Sequence, residues 1–150
     1  MVRISVTGAY FFFTNRRDFY RLAAFLCSGM TIFLIVCTIF PNGLNLRPQT
    51  IPINNPAAWL VQTIWSMDTS TNVCPSIHVF VSATIGIAAA RAGSLREHKA
   101  VRRGILTLTI LICMSTMFLK QHSAVDVVCG LILSVVLDLL VRRWNPGLGL

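Results

Sequence analysis

Acidic residues are scarce in this chain. Five Asp and Glu stand against 13 Lys and Arg, and charged residues of all kinds make up 12% of its 150 positions. That is about half the share of an ordinary globular domain. A soluble fold of this length could bury a core, but it would still need a charged coat, and the chain has too few charges to make one. With 55% hydrophobic residues, a disordered tail is excluded as well. The five cysteines (Cys27, Cys37, Cys74, Cys113 and Cys129) are odd in number and lack CxxC spacing, so they indicate neither a disulfide framework nor a zinc knuckle. Internal repeats, low-complexity segments, GxGxxG and P-loop patterns are missing too. What the composition leaves is the lipid bilayer as solvent.

A helix needs roughly 20 residues to cross about 30 Å of hydrocarbon. Residues 22–40 (LAAFLCSGMTIFLIVCTIF) contain no charge, and residues 104–119 (GILTLTILICMSTMFL) are bracketed by Arg103 and Lys120. Two weaker runs, 76–92 and 123–141, include His78 in the first and Asp126 and Asp138 in the second. Four such runs in series predict one all-α membrane domain over 1–150, a polytopic helix bundle of about four spans. A signal peptide is a poor fit to the first run, which exceeds a usual h-region and ends in CTIFPNG, not in a small-residue cleavage site.

Charge placement sets the expected orientation. Arg3, Arg16, Arg17 and Arg21 precede the first run; Arg91, Arg96, Lys99, Arg102 and Arg103 lie between the second and third; Arg142 and Arg143 follow the fourth. All of these fall on one side, whereas Arg47 and Lys120 fall on the other. By the positive-inside rule the crowded side is cytoplasmic, with both termini there, residues 91–103 as a cytoplasmic loop and residues 41–75 as an outer loop. The net charge of +8 is therefore topological, and no nucleic-acid partner is expected, since the basic stretches lack interleaved aromatics. In the outer loop, AAWLVQTIW (57–65) reads as an interfacial helix with Trp59 and Trp65 at headgroup level.

The polar residues at the outer ends carry the functional signal. Pro75 suits the first turn of a helix, Ser76 can satisfy its free amides, and a helix start is an anion site. His122 and Asp126 are four apart, so on a helix beginning near Gln121 the carboxylate can reach the imidazole. Topology brings Arg47, His78, Lys120, His122 and Asp126 to one membrane level, a set suited to phosphate. Lys120, on a helix start, would point away from the His122 face unless the backbone turns there. The competing readings are a polar network that only packs the bundle and a metal site built from His78, His122 and Asp126. Asp138 reads as a helix-end partner of Arg142, and His98 as a solvated loop residue.

CPSIH at 74–78 and STMFLKQHSAVD at 115–126, preceded by Arg47–Pro48, resemble the three signature motifs of the type 2 phosphatidic acid phosphatase superfamily: K-x6-R-P, P-S-G-H and S-R-x5-H-x3-D. The resemblance implies a phosphohistidine formed on His122, Asp126 as its orienting partner, His78 as the acid for the leaving group, and Arg47 and Ser76 as phosphate ligands, with no metal or cofactor. Three motif positions differ: Phe40 stands for Lys, Ile77 for Gly and Thr116 for Arg. Lys120 can supply one of the two missing cations. Family members usually have six spans, so the resemblance implies an N-terminally truncated form in which AYFFFTNRRDFYR is the cytoplasmic link after a lost span. Such a bundle would need a cover, for instance a second copy. The function expected is a phosphatase or phosphotransferase of the cytoplasmic membrane, working on a lipid phosphate or small phosphate ester at the outer leaflet. The alternative is an inactive relative that binds lipid or another subunit. A reporter active only in the cytoplasm should be active when fused behind residue 143 and silent when inserted in residues 41–75, as cell-based reporter assays would read.

Overall fold

The computed structural model of the chain describes residues 2–45, 47, 55–67 and 71–144. Among the described residues six helices follow one another: α1 Val2–Thr14, α2 Arg16–Ile39, α3 Pro56–Met67, α4 Ile77–Arg91, α5 Lys99–Phe118 and α6 Ala124–Trp144, with one turn of tighter helix at Gly93–Leu95. Among the described residues, the extended backbone pairs only at an isolated antiparallel bridge between Gly43 and Thr71. The expected all-α bundle is what the chain forms. α2, α5 and the Ala124–Val141 part of α6 are each long and apolar enough to cross a membrane, the mark of an integral membrane protein.

The helix formed at the second expected span, 76–92, is shorter than those at the other three. α4 has 15 residues, about 22 Å at the helical rise, less than a bilayer core. Its start is set by the Ser76 cap, whose side chain accepts from the Val79 amide, and its end by the turn at Ala92. It tolerates this length because it is the central helix. Val79, Phe80, Ala83, Ile85 and Ala89 are all buried, and α2, α5 and α6 pack around it. A helix that is apolar on every side belongs inside a bundle, where protein and not lipid sets the length required. α5 is its opposite: Thr116 is its buried residue, and Leu108, Ile110, Leu111 and Met114 face outward as a lipid-exposed helix requires.

The α2–α4 contact depends on a missing side chain. A Cβ at Gly29 would fall on the tip of the Phe80 ring, so glycine lets Phe80 reach the α2 backbone while Phe25 meets it edge to face at 6.0 Å. Close approach at small residues is how membrane helices gain packing when lipid is as apolar as the protein.

At the other end of α4, residues expected as a link turn out to be structured. α1 runs to Thr14, and Asn15 then caps α2 by accepting from the Arg17 amide at 3.0 Å and donating to Asp18 at 3.1 Å. The hairpin inserts Phe11, fully buried, among Leu22, Ile85, Ala89, Ala92 and Leu95. Arg142, expected as the partner of Asp138, has its side chain outside the described residues; Asp138 itself pairs within them. It takes Arg91 of α4, with Nη1 2.6 Å and 2.9 Å from its two oxygens, and so ties α6 to α4.

Replacing Gly29 by Leu should lower thermal stability in detergent by about 1–3 kcal/mol or more through overpacking. Gly8→Ala, where a Cβ meets nothing within 4 Å, should leave stability level or raise it by up to about 1 kcal/mol.

Candidate active site at the His122 end

The site is built on two helix termini joined by a short turn. α5 ends in a Schellman motif: the Gln121 amide donates to Thr116 O at 3.0 Å and the Lys120 amide to Met117 O at 3.0 Å. The motif requires a left-handed residue at Lys120, and its φ is 53°. The backbone therefore does turn at Lys120. The His122 amide adds a bond to the same Thr116 carbonyl at 3.2 Å.

α6 begins three residues later than the Gln121 start expected, because Ser123 takes the cap. Ser123 and Asp126 form a reciprocal capping box: the Asp126 amide donates to Ser123 Oγ at 3.3 Å, and Asp126 Oδ2 accepts from the Ser123 amide at 2.7 Å and hydroxyl at 2.8 Å. His122 thus sits ahead of the helix and not on its face. The spacing of four from Asp126 does not produce the helical pairing expected from it. The carboxylate instead fixes the turn that carries the imidazole.

The start of α4 docks on this assembly. The Ser76 amide donates to the Asp126 carbonyl at 3.1 Å, and a Cβ at Gly130 would lie 2.8 Å from the Ser76 carbonyl, so glycine is what lets α6 come this close. Ser76, expected as a phosphate ligand, is fully buried and caps α4, with its Oγ accepting from the Val79 amide at 3.4 Å. The contact brings His78 and His122 together, their ring centroids 5.8 Å apart in an edge-to-face arrangement. His122 is buried, and His78 is exposed. Among the described residues, no group of three or more His, Cys, Asp or Glu is arranged to hold a metal ion.

Three contributors to the site carry no motif. Asn42 grips Cys74 from both sides, its Oδ1 accepting from the Cys74 amide at 2.9 Å and its Nδ2 donating to the Cys74 carbonyl at 3.0 Å. The ends of the long connection between α2 and α4 are thereby closed beside the α4 start. Burial, then Cys129 and Asp126 beside it, push the Cys74 thiol up to about 12, so it stays protonated at physiological pH. Ser123 is the second contributor. Trp65 is the third: its indole N–H donates to Leu119 O at 2.8 Å, while its own carbonyl accepts from Arg47 Nη1 at 3.2 Å. Arg47 is linked to the site through Trp65, and Pro48, its companion in the first motif, lies outside the described residues. Of the two tryptophans expected at headgroup level, Trp59 is 68% exposed; Trp65 turns toward α5. At the differing motif positions, Phe40 is exposed and Thr116 is buried with its hydroxyl on Cys113 O.

A membrane helix bundle with paired histidines held between capped helix ends belongs to the class of polytopic membrane proteins with a polar site at one end of the bundle. The chain belongs to the PAP2 superfamily, whose family model matches residues 22–149, from within α2 to beyond α6 and across all three motifs. No curated protein and no solved structure gives a match. The superfamily is one of phosphatases and phosphotransferases, and phosphatase-type chemistry is the class of function that membership indicates.

Because a non-glycine residue in the left-handed region is strained, Lys120→Gly should keep the turn and leave melting temperature level or slightly raised, by up to about 1 kcal/mol in stability. It would also remove the cation, so a thermal-shift titration with inorganic phosphate should show weaker stabilisation by the anion.

Proposed function

We propose that the protein transfers a phosphoryl group from a lipid phosphate or small phosphate ester through a phosphohistidine on His122, at the outer leaflet of the membrane. The observation that carries this reading is the pairing of His78 and His122, one open and one buried, beside the starts of α4 and α6. His122 attacks phosphorus in line as the bond to the leaving oxygen breaks, and His78 gives that oxygen its proton. Water, or an acceptor hydroxyl, is then deprotonated by His78 and displaces the histidine, breaking the P–N bond. Charge on the equatorial oxygens falls to Arg47, Lys120 and the free amides at the helix starts. Asp126 acts as a positioning residue by locking the Ser123 turn next to His122.

A second reading has an observation of its own. Two positions that carry cations in the motifs hold exposed Phe40 and buried Thr116, as in a bundle that binds lipid without chemistry. Phosphate release from a short-chain phosphatidic acid by detergent-purified protein in EDTA separates the two. The enzyme reading expects release that His122→Ala abolishes and His78→Ala lowers by about 10²–10⁴-fold. Unchanged release by a folded His122→Ala protein would sink the mechanism. No release from the wild type or from a Phe40→Lys/Thr116→Arg variant would favour the binding bundle.

A further inference from the structure

We propose that Trp65 is a positioning residue that ties the outer helix α3 to the turn carrying His122; the inference rests on the reading of His122 as nucleophile. Leu119 is the last residue of the α5 cap, and its carbonyl is one of those a helix end leaves without a partner. The Trp65 indole supplies that partner at 2.8 Å from 54 residues away. Three residues on from Leu119 comes His122.

The same residue reaches the first motif through its backbone, because the Trp65 carbonyl accepts from Arg47 at 3.2 Å. One side chain and one carbonyl therefore hold together a candidate phosphate ligand and the base of the nucleophile turn. α3 is itself anchored at both ends of this function. Asn55 caps it, accepting from the Ala58 amide at 2.7 Å, and Trp59, Leu60 and Met67 project apolar surface outward, as a helix resting at the membrane surface does. An indole fits this duty because it combines a single N–H donor with a large rigid apolar body. Phenylalanine would keep the body and drop the bond, which leaves the Leu119 carbonyl in want of a donor.

The test compares Trp65→Phe with Trp59→Phe in the full-length protein, in detergent. Two readouts are taken: hydrogen exchange of the segment 119–123, and turnover of the short-chain phosphatidic acid resolved into kcat and KM. Trp65→Phe should speed exchange in that segment and lower kcat by about tenfold, with KM within about twofold and melting temperature held. Trp59→Phe should change none of these. Exchange and kcat equal to wild type in Trp65→Phe would overturn the proposal. So would a general rise in exchange across the chain with a fall in melting temperature, since that is a packing role. If the wild type turns nothing over, the phosphoryl-transfer reading fails on its own, and the exchange comparison still decides whether Trp65 holds the turn.

Discussion

One backbone contact sets the geometry on which the candidate site depends. The Ser76 amide reaches the Asp126 carbonyl at 3.1 Å, and the Ser76 carbonyl lies where any side chain at position 130 would stand. Because α4 leaves this contact in one direction and the Ser123 turn leaves it in the other, His78 and His122 have little freedom in how they meet. A larger residue than glycine at 130 would move α6 outward and carry His122 with it. The edge-to-face separation of 5.8 Å is in this sense a consequence of backbone packing, with the imidazoles themselves contributing little.

Around that contact the backbone is closely accounted for. In a membrane, polar groups left without partners cost several kcal/mol each, so a turn between two spans near the hydrocarbon must satisfy itself. Thr116 O takes two amides, Met117 O takes Lys120, Leu119 O takes an indole, and the Ser123 amide takes a carboxylate. Sites on well-bonded elements hold their reacting groups more closely than sites on open loops. The capping pattern that ends one helix and starts the next is thus also what would hold the nucleophile still.

Much of this could be read from residues alone, and the failures have identifiable causes. The apolar runs of α2, α5 and α6 were visible in length and charge. Ser123 and Asp126 also spelled a capping box, S-x-x-D ahead of an apolar run. Reading His122 and Asp126 as a helical pair concealed it, since both patterns use the same aspartate and only the helix start separates them. Lys120 gave no sign of its left-handed backbone, because glycine is the residue that ordinarily marks such a position. Arg91–Asp138, Asn42–Cys74 and Trp65–Leu119 join positions 47, 32 and 54 apart. No periodicity reports contacts of that range; they follow from the packing of the whole bundle.

The difference in exposure between the two histidines bears on how the work would be divided. A residue that gives a proton to each leaving group and takes one from each water must exchange with solvent every turnover, which exposed His78 can do. A phosphohistidine on His122, by contrast, would need only the in-line approach left open to its acceptor, and His122 is 7% exposed. On the proposed reading, access favours the same assignment as motif position. It would also give a purpose to the well-bonded turn under the buried ring. One open approach has a use only if the nucleophile stays where His78 and the anion-binding groups can reach the same phosphorus.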